Sequence, residues 1–243
     1  MGLHDGREEI VKRQLVLFFI VDTSGSMMGQ KITIVNESIR NSLPEIRDIG
    51  ENDANVDLKV ACLKFSTGCE WMYPTPIAAE SFTWQELQAD GVTDLGMAFE
   101  ELNDKLSRHK FLTAPSGSVA PVLFLMSDGE PTDDYLSGLN KLKNNRWFEN
   151  AVKVALAVGK DANKDVLKEF TGNIETLVEA HTAVALQKWI RILTITSTKI
   201  GSNSQRASNG EIQTRQEAMA DQIKEIQQID PDLSQTTTSG DDF

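Results

Sequence analysis

The sequence predicts an α/β fold in which a mostly parallel sheet is covered by helices on both faces. Strand-like apolar runs alternate with segments whose apolar residues recur every three or four positions, from residue 15 to residue 195. This alternation is typical of parallel strands joined by right-handed helical crossovers. Two of the runs, 15–21 and 122–126, are continuously apolar, as expected of strands buried on both faces.

The elements of the first half of the chain follow from these two patterns. Pro44 lies late in the first helical stripe, so the first helix is expected to kink or end near it. A turn at 66–68 predicts a hairpin, which places the following short strand antiparallel at an edge of the sheet. In order, the predicted elements are a strand at 15–21, a helix at about 31–47, a strand at 56–65, a short strand at 69–73 and a helix at 95–106.

The second half continues the alternation of strands and helices. Its strands are rich in Val, Leu and Ala, and its helices carry apolar stripes. In order, the predicted elements are a strand at 122–126, a helix at 135–146, a strand at 151–158, a helix at 164–170, a strand at 174–178 and a helix at 182–195.

The domain organisation is a polar lead at 1–13, one folded domain at 14–196 and a polar tail at 197–243. Ser, Thr, Gln, Asn and Gly dominate the tail, so we expect most of it to be flexible. Within it, 211–229 is a candidate helix with a weak apolar face. A weakly helical, flexible segment is the preferred interpretation, because isolated helices of this length are marginal. Docking on the domain or on a partner is the alternative.

Composition excludes several classes of function. The formal net charge of −12 argues against binding to nucleic acid or to an anionic membrane surface. The chain has no apolar run long enough to cross a membrane, and its first residues do not resemble a signal peptide. The two cysteines, Cys62 and Cys69, are not expected to pair across the predicted hairpin. A reducing, cytoplasmic location is therefore the expectation.

Polar oxygen-bearing residues follow the two most apolar strands. Asp22, Ser24 and Ser26 come directly after the first strand, with Gly25 allowing a tight turn between the serines, and Asp128 follows the strand at 122–126. Because carboxyl ends of parallel strands meet at one edge of a sheet, these side chains are expected to converge. Carboxylate and hydroxyl oxygens suit Mg²⁺, Mn²⁺ or Ca²⁺. The alternative is an ordinary polar turn with an aspartate capping a helix.

Three segments of the chain resemble the von Willebrand factor type A domain family. The sequence Val-Asp-Thr-Ser-Gly-Ser-Met at 21–27 is similar to the first motif of the family's metal-ion-dependent adhesion site. Gly-Val-Thr-Asp-Leu at 91–95 is similar to its threonine loop, and Ser-Asp-Gly at 127–129 to its last aspartate segment. The segments occur in the family's order and spacing, and the resemblance covers roughly 16–196.

The resemblance implies a fold and a set of metal ligands. The implied fold is a three-layer, doubly wound, six-stranded sheet of order 3-2-1-4-5-6 with one antiparallel edge strand. The implied cation is Mg²⁺, with Mn²⁺ or Ca²⁺ in its place, and its sixth position would take an Asp or Glu of a partner protein. The implied metal ligands, directly or through water, are Asp22, Ser24, Ser26, Thr93 and Asp128.

Two further features refine the resemblance. Many relatives have a second glycine before the threonine, where this chain has Val92, and a β-branched residue stiffens the backbone there. The run at 125–134 is similar to the bacterial TerY-like branch, which is associated with tellurium-resistance and stress operons. That branch implies a stress-response or phosphorylation-linked complex, with a protein kinase and a phosphatase encoded nearby as partners and the Ser/Thr-rich tail as a candidate phosphorylation target.

The sequence supports a metal-dependent protein-interaction module that is not an enzyme. The alternative is a magnesium-dependent phosphohydrolase with Asp22 as nucleophile. Against it, Ser24 stands where such enzymes usually place a second aspartate, and no lysine or nucleophile–base pair is evident from sequence. A domain with a vestigial metal site is a third alternative.

Further acidic residues lie near the predicted edge. We expect them to form a solvated surface with a cap at the helix near residue 135, although they could instead raise cation affinity or repel acidic partners. They are Asp94, Glu130, Asp133 and Asp134.

Overall fold

The computed structural model describes residues 12–114, 117–180, 182–202, 214–230 and 233. Its regular elements alternate as the sequence predicts, with a short 3₁₀ turn after the first strand (Gly25–Met27) and another before the last (Ile174–Thr176). The strands are β1 (Arg13–Asp22), β2 (Val56–Ser66), β3 (Gly68–Trp71), β4 (Ile77–Ala78), β5 (Val122–Ser127), β6 (Val152–Val158) and β7 (Leu177–Ala180). The helices are α1 (Gln30–Asn52), α2 (Leu95–Lys105), α3 (Tyr135–Lys143), α4 (Arg146–Glu149), α5 (Lys164–Thr171), α6 (Ala183–Ser202) and α7 (Arg215–Ile229).

The strands form one mostly parallel sheet in the order β3-β2-β1-β5-β6-β7. This order and the antiparallel β3 confirm the predicted fold class. The six-stranded prediction omits β4, which pairs antiparallel with β2 and is only two residues long, too short to show a sequence period. In the centre, Val21 of β1 pairs with Met126 of β5. Asp22 and Ser127, the last residues of β1 and β5, therefore lie side by side at the carboxyl edge of the sheet.

Each face of the sheet has its own hydrophobic core, because alternate side chains of a strand point to opposite faces. Leu17 and Phe19 of β1 pack in one core with residues of α1, α6 and α7. Val16 and Phe18 pack in the other core with residues of α2, α3 and α5. Because the central strands are buried on both faces, their sequences are continuously apolar.

Three predicted boundaries differ from the structure for local reasons. α1 continues through Pro44 to Asn52, because buried Leu43 and Ile46 hold it against the sheet. The helix predicted at 135–146 is two helices, because the Asn145 side chain accepts a hydrogen bond from Trp147 N and starts α4. The strand predicted at 174–178 begins only at Leu177, after the 3₁₀ turn.

The C-terminal region contains more helix than its polar composition predicts. α6 extends to Ser202, and its hydroxyls donate to carbonyl oxygens one turn earlier, as Thr194 Oγ1 does to Ile190 O (2.7 Å). The interpretation of 211–229 as a weakly helical segment is wrong for 215–229, which is α7 with Met219 and Ile223 fully buried. The rest of the predicted tail beyond residue 202 lies outside the described residues, apart from 214, 230 and 233. The domain boundaries at 13/14 and 196/197 stay a prediction.

One side chain anchors the start of α7 to the sheet. Gln216 Oε1 accepts a hydrogen bond from Lys153 N (2.8 Å), and its Nε2 donates to Lys153 O (2.9 Å) and Thr176 Oγ1 (2.8 Å). β7 pairs with β6 only from Ala155 onward. Gln216 thus forms hydrogen bonds with the backbone N–H and C=O of Lys153, at a position of β6 that β7 does not reach.

Two further expectations concern cysteines and membranes. Cys62 and Cys69 are both free thiols, as predicted, and Cys62 O accepts a hydrogen bond from Met72 N (2.8 Å) across the hairpin. Within the ranges described, no helix has the length and apolar character needed to cross a bilayer.

Lys153 is a buried lysine in the middle of this arrangement. Its side chain lies between β6 and α4, where Nζ donates to Phe148 O (3.0 Å) and Ala151 O (3.3 Å). Burial lowers the pKa of Lys153 from 10.5 to about 8, and the charge of Glu149 only partly opposes this effect. The charged form is therefore disfavoured in the folded state relative to the unfolded one.

We expect replacement of Ile223 by Ala to lower the free energy of unfolding by about 2–4 kcal/mol, because it leaves a cavity under α7. Urea denaturation measures the change. The control is Ile229→Ala on the same helix, where the side chain is 76% exposed and an effect below about 0.5 kcal/mol is expected. Equal effects of the two variants would show that α7 does not pack on the domain.

We expect wild type to gain stability relative to Lys153→Met as the pH rises from 8 towards 10.5. In that window the unfolded lysine binds a proton that the folded one has lost, so the free energy of unfolding increases with pH, by at most about 3 kcal/mol. Urea denaturation at several pH values measures the difference. A profile for Lys153→Met that stays flat with pH would contradict the prediction.

Candidate metal centre

Asp22 is a buried carboxylate at the carboxyl end of the central strand. It is the last residue of β1 and is fully excluded from solvent. Its Oδ1 accepts from Ser24 N (2.8 Å), and its Oδ2 accepts from Ser127 Oγ (2.6 Å). Burial raises the pKa of Asp22, the hydrogen bonds from Ser127 and Ser24 oppose that shift, and the nearby charge of Asp128 adds to it. A bound cation would relieve this cost.

The two serines of the first motif lie next to each other on the 3₁₀ turn. Ser24 Oγ and Ser26 Oγ are 2.9 Å apart, with Ser24 buried and Ser26 exposed. Gly25 N donates to Gly91 O (3.0 Å), and a Cβ at Gly25 would lie only 3.1 Å from that oxygen. The glycine therefore lets the serine turn and the threonine loop approach closely.

The threonine loop is tied down on both sides. Asp90 N donates to Thr23 O (2.8 Å) on the side of the first motif. On the other side, Thr93 N donates to Thr132 Oγ1 (3.0 Å) and Thr132 N donates to Thr93 O (2.9 Å). Thr93 is thus held between the segments that follow β1 and β5.

Asp128 follows β5 and is nearly fully buried. Its Oδ2 accepts from Lys31 Nζ (3.2 Å), and Lys31 also pairs with Asp161 (2.9 Å). Burial favours a lower pKa for Lys31, but the hydrogen bond to Asp161 and the charge of Asp128 outweigh it and raise the pKa. The lysine therefore places one positive charge beside the buried carboxylate of Asp128.

The structure brings the five predicted residues to one edge of the sheet, and one of their atoms lacks a partner. Asp128 Oδ1 is buried and forms no hydrogen bond. A buried carboxylate oxygen without a donor is costly, so this atom is suited to a cation. Only two of the five residues are carboxylates, and the described residues include no group of three or more His, Cys, Asp or Glu side chains placed to hold a metal ion. The donor set is hard oxygen, as Mg²⁺ or Mn²⁺ requires and Zn²⁺ does not.

Sequence reasoning missed the residues that support the site. Ser127 orients Asp22, Thr132 orients the threonine loop, and Lys31 neutralises part of the charge of Asp128. The position of Ser127 directly before Asp128 was an available signal. Lys31 is 97 positions from Asp128, and only the folded chain reveals their contact.

The nearby acidic residues act mainly as structural acceptors. Asp134 caps α3 through Ser137 N, which confirms the predicted cap. Asp133 accepts from Gly96 N (2.9 Å) and Met97 N (3.0 Å), the first amides of α2, and Asp94 accepts from Gly68 N (2.8 Å) in the β2–β3 hairpin. Asp94 is the N-cap residue of α2, but its side chain forms no capping hydrogen bond.

A family model of the von Willebrand factor type A domain matches residues 17–195. This range contains all five site residues and the sheet from the fifth residue of β1 to β7.

Individual proteins resemble the chain at lower identity. Inter-alpha-trypsin inhibitor heavy chain H4 of Bos taurus is 28% identical over 153 residues, which are 59% of this chain and 16% of that protein. A von Willebrand factor type A structure from Catenulispora acidiphila has a TM-score of 0.56 at 18% identity, over 76% of this chain and 43% of that one. Proximal thread matrix protein 1 from the mussel byssus, solved with a zinc-occupied MIDAS motif, has a TM-score of 0.56 at 16% identity. The match covers 76% of this chain and 48% of that one.

The ArnB paralog VWA2 of Sulfolobus acidocaldarius has a TM-score of 0.53 at 16% identity, over 76% of this chain and 46% of that one. At these identities the structural likeness shows the fold alone. The chain spans less than half the length of each of these proteins.

We expect Asp133→Ala to lower the free energy of unfolding by about 1 kcal/mol, because two amides of α2 lose their acceptor. Chemical denaturation tests this, with the exposed Asp165→Ala at the start of α5 as a matched control of smaller effect. Metal affinity should stay within about twofold of wild type, a difference well below 1 kcal/mol. A larger loss of metal affinity would instead favour a direct electrostatic role for Asp133.

Proposed function

The chain belongs to the von Willebrand factor type A family, and from this premise we propose that it binds a partner protein through a divalent cation. Domains of this family commonly act in metal-dependent protein interaction. The observation that carries the proposal is the unpartnered, buried Oδ1 of Asp128 beside the buried carboxylate of Asp22.

We propose Asp22, Ser24, Ser26, Thr93 and Asp128 as the ligands, directly or through water. Mg²⁺ is the proposed cation, with Mn²⁺ or Ca²⁺ as substitutes, because all five side chains offer oxygen. The zinc-occupied MIDAS motif of the mussel protein supports a divalent cation on this fold. The remaining coordination position is proposed to accept an Asp or Glu of the partner.

Exposed apolar side chains on the same loops support a protein as the ligand. Met28 follows the serine turn, Val92 precedes Thr93, and Met97 lies in the first turn of α2; they are 57%, 46% and 50% exposed. Apolar side chains around a polar centre are typical of protein-binding surfaces. A cleft of about 620 Å³ beside Thr23, between the hairpin and Glu86–Gln88, offers further contact area.

The geometry gives the phosphohydrolase alternative less support. A nucleophilic carboxylate must reach its substrate, but Asp22 is fully buried and both of its oxygens accept hydrogen bonds. Lys31, the lysine that contacts Asp128, also pairs with Asp161. We therefore propose a binding module without enzymatic activity.

We also propose that the chain is a cytoplasmic, TerY-like protein of a stress-response or phosphorylation-linked complex. The motif at 125–134 and the two free cysteines support this proposal. A protein kinase and a phosphatase are the proposed partners. Capture of the kinase by the purified chain with Mg²⁺, and its release by a chelator, would support this assignment, and capture that a chelator does not affect would contradict it.

We expect Asp128→Ala and Asp22→Ala to weaken Mg²⁺ and Mn²⁺ binding by at least about tenfold, a cost of 1.4 kcal/mol or more. Isothermal titration calorimetry measures the affinity, and circular dichroism verifies that the sheet is retained. The control is Glu130→Gln, an exposed acidic residue near the same edge, which should bind the metal like wild type.

Two results would contradict the proposed function. The first is the absence of metal uptake by the wild-type protein. The second is magnesium-dependent hydrolysis of an aryl phosphate that Asp22→Asn abolishes, which would establish the phosphohydrolase alternative.

A further inference from the structure

A second cleft lies at the opposite edge of the sheet from the proposed metal site. It has a volume of about 490 Å³ and is formed where β1 and β5 begin, together with α4, the loop after α2 and the start of α7. Asp22 and Asp128 lie where those same two strands end. The two sites are therefore separated by the length of the strands.

The lining of this cleft is strongly basic although the chain is acidic. Arg13, Arg108, Arg146 and Arg215 all line it, in a protein with a net charge of −12. Across the residues that the structure describes, none of the four forms a salt bridge with a carboxylate. Burial and the charge of Arg13 lower the pKa of Arg215, so the two guanidinium groups repel each other.

Local contacts hold the Arg108 side chain and the segment that carries Arg146. The Arg108 guanidinium lies over the Trp147 ring, 5.8 Å from its centre. The Asn145 side chain donates to Leu106 O (3.1 Å) and to Asn103 O (3.2 Å), which ties α4 to the end of α2. Arg108 and Arg146 are thereby presented from segments that are fixed to each other.

The start of α7 fixes the position of Arg215. Thr214 and Glu217 form a reciprocal capping box, and Gln216 is hydrogen-bonded to β6 and to Thr176. Arg215 therefore lies between two anchored residues. A cleft built on segments that are fixed before binding loses less conformational entropy when a ligand arrives.

We propose that this cleft binds a phosphate monoester. Arginine forks match phosphate oxygens, and a phosphate dianion offers three acceptors to several guanidinium groups at once. A single carboxylate has one charge and two oxygens and would leave most of the four arginines uncompensated. The volume exceeds that of a phosphate ion, so the phosphoryl group is attached to a larger body. Nucleic acid fits less well, because it needs an extended basic surface and the chain is acidic.

The test is calorimetric titration of the full chain with phenyl phosphate, in EDTA so that the metal site takes no part. We expect binding with a Kd at or below about 1 mM. Arg146→Gln should weaken the binding of phenyl phosphate at least about tenfold, because one of the four guanidinium groups is lost. Arg146 is exposed, so this change leaves the fold intact. The matched control is Arg191→Gln, an exposed arginine paired with Glu45 elsewhere on the surface, which should bind like wild type.

Asp22→Asn should also bind phenyl phosphate like wild type, which separates this site from the metal centre. The proposal is overturned if no heat is detected up to about 10 mM ligand, if benzoate binds as tightly as phenyl phosphate, or if Arg146→Gln and Arg191→Gln behave alike. When it binds, comparison of a phosphoserine peptide with AMP identifies the source of the phosphoryl group. Tighter binding of the peptide indicates a phosphorylated protein, and tighter binding of AMP indicates a nucleotide.

Discussion

The burial of two carboxylates at the ends of adjacent strands is the constraint on which the rest of the site depends. Parallel pairing of β1 with β5 places Asp22 and Asp128 at one edge, where little water reaches them. Charges buried this close together need compensation. Hydrogen bonds from Ser24 and Ser127 and the ammonium of Lys31 supply part of it. Asp128 Oδ1 remains uncompensated, which is why the edge is suited to a divalent cation.

The same parallel topology separates two kinds of chemistry. In a parallel sheet, the carboxyl ends of the strands lie at one edge and the amino ends at the other. In this protein, acidic and hydroxyl groups lie at the carboxyl ends of β1 and β5, and arginines lie where these strands begin. A strand of six residues such as β5 spans about 20 Å. That distance allows a cation with a protein partner at one edge and a phosphate-bearing ligand at the other, without overlap. The residues that position each site lie at the same edge as that site, and the sheet connects the two edges.

The sequence predicts the sheet and the meeting of five polar residues at one edge of it, because both leave local signals. Strands buried on both faces are continuously apolar, and the residues that follow Val21 and Met126 are visibly polar. What sequence reasoning missed depends on tertiary contact. Burial of Ile223 stabilises α7, backbone acceptors satisfy the hydroxyls of α6, and Lys31 reaches Asp128 only in the folded chain. The arginine cleft has no motif, because its four residues come from four separate segments.

The anchoring of α7 by Gln216 bears on where this protein can be cut. The family match ends at residue 195, but the hydrophobic core includes Ile200, Met219 and Ile223 beyond it. A fragment that stops at the family boundary would shorten α6, expose this apolar surface and leave Lys153 with unpaired backbone groups at a strand edge. Open strand edges next to apolar surface promote aggregation. We therefore expect a stable fragment to include α7, beyond the end of the family match.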